Sequence, residues 1–245
     1  MDLALASAAT LVATAFALST LDRWQRRRRA HELAWTVSLA LFATGSAALW
    51  WAQADGWSSG TFRVFYAAGA ILNVPWLALG TVYLLAGPRI GDRVRTWLIL
   101  VSGFVIGVIA VAPMRTEIEP DVLPAGREVF GIVPRVLAAV GSGVAAVVII
   151  AGALWSAWRV ARRRTPSLGP DRSVAAPRRL VVGNLLVAAG TLVLSASGTL
   201  AGRLGKERAF SVTLLAGVCI LFVGFLVATA SSARRAGNRS DTATR

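Results

Sequence analysis

One histidine, one cysteine and one lysine stand among 245 residues, with only two tyrosines and two methionines beside them. Each scarcity closes a class of chemistry. His31 lies in an arginine-rich connection, so a histidine pair for intramembrane haem cannot be assembled, and there is no HExxH arrangement for zinc. Cys219 alone permits neither CxxC redox chemistry nor an internal disulfide. In the middle of an apolar run it reads as a small buried hydrophobe. Lys206 sits in a short connection, away from any position where a bundle would hold retinal as a Schiff base. Acidic residues number 12 against 26 basic ones, and none falls inside an apolar run, so the carboxylates of a proton or sodium relay are missing. No catalytic residue, metal ligand or cofactor is expected, and the chain reads as a non-enzyme.

What is present is apolar length. Runs at 3–21, 33–53, 64–86, 97–113, 136–158, 180–201 and 209–230 contain no Asp, Glu, Lys or Arg. Each matches the roughly 17–25 residues a helix needs to cross a bilayer. The expected fold is an all-α membrane protein: one seven-transmembrane-helix bundle over residues 1–230, followed by a basic, disordered cytoplasmic tail at 231–245. The first run has Met1 and Asp2 before it and Arg26 to Arg29 after it, the reverse of a secretory leader, so it reads as a retained helix.

Basic residues alternate with the runs. Nineteen of the 26 fall in the segments 22–32, 87–96, 159–179 and the tail; seven fall in the alternate connections. By the positive-inside rule this puts the N-terminus outside and the C-terminus in the cytoplasm, which an odd number of crossings satisfies. The net charge of +14 is thereby accounted for by topology and by anionic lipid headgroups at the cytoplasmic arginine clusters, and no nucleic-acid partner is expected. The segment 159–179, broken by Pro166, Gly169, Pro170 and Pro177, reads as a solvated linker. Arginine replaces lysine almost throughout, a bias that suits a GC-rich bacterial genome and hence a bacterial plasma membrane.

The third run is the most individual. Tyr66, Gly69, Asn73, Trp76, Gly80 and Tyr83 recur at spacings of 3, 4, 3, 4 and 3, one continuous helical stripe. Arg63 sits one turn before it. Pro75 has no amide hydrogen, so the Ile71 carbonyl loses its usual donor and a kink is expected. Asn73 stands close enough to serve the freed backbone or to bond to a neighbouring helix. An asparagine facing acyl chains would be costly, so the stripe must face protein or a cavity. It reads either as a packing seam or as the wall of a small binding site. In the sixth run Thr191, Ser195 and Gly198 share a face, the expected counterpart of the stripe. Gly103 and Gly107 in the fourth run and Gly141, Gly143 and Ala145 in the fifth suit close helix packing. Of the nine tryptophans, Trp76 alone lies mid-run; Trp50, Trp51 and Trp57 belong to one interfacial belt, and Trp24, Trp35, Trp97, Trp155 and Trp158 to the other.

The connection at 114–135 carries Glu117, Glu119, Asp121 and Glu128 with Arg115, Arg127 and Arg135. It reads as a mixed-charge lid with local ion pairs, and Val122, Leu123, Val129, Phe130 and Ile132 can cap the bundle or lie on the membrane. Seven crossings split three-one-three would share the layout of the sugar-transporting SWEET family, but the Pro75 region has no counterpart in the seventh run, so the likeness stops at helix count. The expected function is a membrane module that binds a membrane-protein partner, a second copy or a small apolar ligand. The alternative is a passive facilitator for a small uncharged solute between the third and sixth crossings.

Overall fold

The computed structural model describes residues 2–162, 182–183, 185–194, 212–224 and 226–227. Among them there is no strand, only a single bridge between Met114 and Phe130. The order is α1 (Asp2–Arg27), α2 (Ala30–Asp55), α3 (Ser59–Val64), a π-helical segment (Phe65–Leu72), α4 (Asn73–Ala86), α5 (Pro88–Val111), the short α6 (Gly126–Val129) and α7 (Ile132–Arg162). α3, the π segment and α4 run on as one third crossing helix, Ser59–Ala86.

Five helices are long and apolar enough to cross a membrane: Leu3–Arg27, Ala30–Asp55, Ser59–Ala86, Pro88–Val111 and Ile132–Ser156. The sixth and seventh apolar runs are represented by two shorter helices, Leu185–Leu194 and Val212–Gly224. These two pack antiparallel: Gly190 lies against Leu221, Gly217 against Leu194 and Gly224 against Leu186. The second of them also reaches α1, where the Phe16 and Phe222 rings lie 4.8 Å apart. Residues 159–162 of the expected 159–179 linker continue α7, and the rest of it, with Ser195, Gly198, Lys206 and the 231–245 tail, lies outside the described residues.

The helices are longer than the apolar runs because helical hydrogen bonding continues past the hydrocarbon edge. Residues 87–96, expected as a connection, are instead mostly the first turns of α5. Pro88 starts that helix, where its missing N–H costs nothing, and Gly87 alone links it to α4. The Gly87 φ of 83° belongs to a region that L side chains rarely enter. α1 and α2 are joined by Arg28 and Arg29 only. Arg26 pairs with Asp22 at 3.0 Å, and Arg28 lies over the Trp24 ring.

The third crossing helix is the hub, packed by α2, α5 and α7. Its contact with α2 is close enough to be backbone on backbone: a Cβ on Gly45 would stand 3.0 Å from the Gly69 Cα and N. On α2, Trp35, Ser38, Phe42, Gly45, Leu49 and Ala52 recur at spacings of 3, 4, 3, 4 and 3, the complement of the stripe on the third crossing. α5 lies at the periphery, with Trp97, Leu100, Phe104 and Val111 exposed as suits a lipid-facing helix.

Trp35 packs inward against the third crossing helix. Its indole covers Gly80 so closely that a Cβ there would fall within 2.0 Å of Nε1. Replacing Gly80 with Ala should therefore force the indole aside and lower stability by about 1–3 kcal/mol. Thermal unfolding of the purified chain in detergent measures this, and Gly103→Ala, where a Cβ meets nothing within 4 Å, should leave the midpoint unchanged or raise it.

Candidate functional site

The irregular centre of the third crossing follows from Pro75. A proline ring presses on the carbonyl four residues earlier and offers that carbonyl no donor. The preceding turns widen into eight π-helical residues, Phe65–Leu72, and the Asn73 N–H reaches back five residues to the Ala68 carbonyl. Widening leaves backbone acceptors for other helices to serve. The Ser142 hydroxyl on α7 donates to the Ala70 carbonyl at 2.6 Å, and the Ser38 hydroxyl on α2 donates to the Asn73 carbonyl at 2.8 Å. Gly141, beside Ser142, lets α7 come within van der Waals reach of the Ile71 carbonyl and Pro75.

The stripe residues are met by several elements in turn. Tyr66 stacks near Phe62 and Phe130, with ring centroids 5.8 and 5.0 Å away, and covers Gly126. Gly69 meets Gly45. The Trp76 Nε1 donates to the Ser102 hydroxyl on α5 at 3.2 Å, and that hydroxyl donates in turn to the Leu98 carbonyl. Gly80 lies under Trp35. The Tyr83 hydroxyl donates to the Asp92 carboxylate at 2.8 Å while its ring covers Gly91, which ties the end of α4 to the start of α5. The structure thus brings the stripe against α2, α5 and the 126–130 turn.

Thr191, the described member of the expected sixth-run face, is buried, and its hydroxyl donates to the Val187 carbonyl of its own helix at 2.8 Å. That is the ordinary way a helical threonine satisfies itself. Val187 reaches the Ala78, Ala145 and Ile149 cluster, on the flank of α4 next to the stripe.

Asn73 is the exception to this economy. It is only 8% exposed, and its Oδ1 accepts no hydrogen bond. Ser142 serves the Ala70 carbonyl and Ser38 the carbonyl of Asn73 itself, while the Asn73 side chain keeps an unused acceptor near the middle of the crossing helix. Sequence reading missed Ser38, Ser102 and Ser142. Their one signal was a hydroxyl on the inward face of a helix. Ser38 shares its helix face with Gly45, and Ser102 shares one with Val105 and Ile109.

Arg63 has a structural task. Its guanidinium donates to the carbonyls of Ile109, Ala110 (3.0 Å) and Ala112 (2.8 Å) at the end of α5. Those carbonyls have no partner within their helix, and a cation there also meets the negative end of the helix dipole. Beyond it the lid closes over the bundle. The Trp57 N–H donates to the Pro120 carbonyl at 2.8 Å, and the Arg115 N–H to the Val129 carbonyl at 2.9 Å. Phe130, fully buried, stacks on Phe62 at 5.4 Å. Val129 and Leu123 join this core, whereas Val122 and Ile132 stay exposed. Of the lid's four acids, Glu128 alone has an ion pair among the described residues, with Arg127.

No family model matches the chain, and no curated protein or solved structure matches it either. The geometry alone therefore carries the chemistry. Removing the Arg63 guanidinium should leave three α5 carbonyls short of a donor, so Arg63→Gln should lower unfolding stability by about 1–3 kcal/mol. Arg63→Lys should recover only part of the loss, since one ammonium cannot reproduce the fork. Chemical denaturation in micelles distinguishes the three proteins.

Proposed function

We propose that this is a non-enzymatic, multi-pass plasma-membrane protein that works by binding, and that the binding site is the kink of the third crossing helix. The ligand class is small and mainly apolar, with one hydrogen-bond donor for Asn73. The observation that carries this reading is the unused Asn73 Oδ1. A buried amide oxygen without a donor costs about 1–3 kcal/mol, more where no water competes, and buried polar groups in proteins almost always find a partner. The adjoining π-helical turns support the same place, because such insertions recur at functional sites. Tyr66, Trp76 and Pro75 border it along the stripe.

In this reading the chain crosses a bacterial plasma membrane seven times, with its N-terminus outside. The arginine asymmetry supports that orientation, and the arginine clusters meet anionic headgroups on the cytoplasmic side.

Thiol accessibility tests the site. In a Cys219→Ala background, single cysteines replace Gly69, Asn73, Trp76 and Gly80 in turn and meet membrane-impermeant reagents from each side. Labelling at 73 or 76 with protection at 69 and 80 is the expected pattern. Asn73→Leu should keep the folded chain at least as stable as the parent, because it removes an unpaired acceptor, while abolishing retention of ligand on purification. A marked loss of stability in Asn73→Leu, with all four cysteines protected, would make the stripe a packing seam only.

A further inference from the structure

A second feature lies at the opposite end of the same helix from α4 and owes nothing to the kink. An open cleft of about 450 Å³ is formed between the residues just before α3 and those just after α5. Its volume is within the range of about 300–1,000 Å³ common for small-ligand sites. Trp57, Met114 and Ile118 give it apolar walls, and Ser59, Arg115 and Glu117 give it polar ones.

Two charges of opposite sign therefore face one cavity, and neither Arg115 nor Glu117 has an ion-pair partner among the described residues, not even each other. The lid backbone holds Arg115 in place. The Arg115 N–H is bonded to Val129, its guanidinium lies beside Gly131, and the Met114–Phe130 bridge fixes the start of the segment. A cavity lined by a cation and an anion two residues apart in the chain is complementary to a zwitterion.

Depth decides which zwitterion. The third crossing helix begins at Ser59 and α5 ends at Val111, so the cleft stands just past the ends of two apolar helices, level with phospholipid headgroups. Trp50 and Trp51, exposed and packed edge to face at this end, are the aromatic pair expected at that boundary. The apolar walls suit the glycerol and first methylenes of a lipid better than water.

We infer that this cleft seats the headgroup of a zwitterionic phospholipid, phosphatidylethanolamine. Arg115 takes the phosphate in a bidentate, charge-assisted pair, the Ser59 hydroxyl is placed to add a donor, and Glu117 accepts from the ammonium. An anionic headgroup without an amine satisfies Arg115 and leaves Glu117 facing a negative charge.

The test uses the full-length chain in detergent. Native mass spectrometry follows binding of phosphatidylethanolamine and, separately, phosphatidylglycerol with the same acyl chains. Wild type should show saturable phosphatidylethanolamine binding. Glu117→Gln should weaken it about tenfold, the effect of one lost charge-assisted hydrogen bond, and leave phosphatidylglycerol binding unchanged or stronger. Arg115→Gln should weaken phosphatidylethanolamine by a similar factor. Glu128→Gln, outside the cleft and paired with Arg127, should change neither lipid. Absence of saturable phosphatidylethanolamine binding to wild type, which needs no variant to read, overturns the proposal. So does equal binding by both cleft variants and wild type, or equal loss in Glu128→Gln. Free phosphoethanolamine should compete only weakly; competition as potent as the lipid's own binding would assign the cleft to a soluble zwitterion and overturn the lipid assignment.

Discussion

A backbone carbonyl in hydrocarbon has no water to turn to, and at the centre of the third crossing helix that constraint governs the surroundings. Pro75 withdraws a donor, and the π-helical turns before it redirect several acceptors outward. Ser142 meets one of those acceptors, the Ala70 carbonyl, and Ser38 on the other side holds the Asn73 carbonyl just past the widened turns. Both contacts work only at hydrogen-bond distance, so α2 and α7 are fixed in height and rotation against the kink. The glycines follow from the same demand. At Gly45 a Cβ would crowd the Gly69 backbone at 3.0 Å and push α2 away from the kink that Ser38 serves, whereas a Cβ on Gly69 or Gly141 would meet only ordinary contacts.

The two ends of the bundle solve a different problem. At the lid end the carbonyls of α5 are closed by Arg63, a side chain from another helix, and a cluster of Trp57, Phe62, Phe65, Tyr66 and Phe130 seals the interior beneath a loop that has few ion pairs of its own. At the arginine-rich end the two described connections, Arg28–Arg29 and Gly87, are minimal, and Arg28 and Arg162 fold over tryptophan faces.

Hydrophobic run length was enough to locate five membrane-length helices, and helical spacing was enough to find the stripe that α2, α5 and the lid turn pack against. Pro75 announced an irregularity. Its form was not legible, because a π-helical insertion depends on which neighbour can donate to the displaced carbonyls, and Ser38 and Ser142 lie 35 and 72 residues from the carbonyls they serve. The unused oxygen of Asn73 was equally illegible, because which donors reach it depends on the packing of α2 and α7. The matching stripe on α2, from Trp35 to Ala52, was visible in principle from the same spacing of 3 and 4. Charge composition suggested ion pairs in the lid, yet composition says nothing of distance, and the lid is held instead by backbone hydrogen bonds and by Phe130.

The Gly87 link between α4 and α5 also bears on how these two helices move. Two long apolar helices joined by one residue and clasped by Tyr83 on Asp92 have no slack to part. They form a helical hairpin whose two limbs are held as one unit, with Arg89, Arg93 and Arg95 grouped near its bend. Residues inserted at this bend would loosen the pair at its closed end before they disturbed any contact along the limbs.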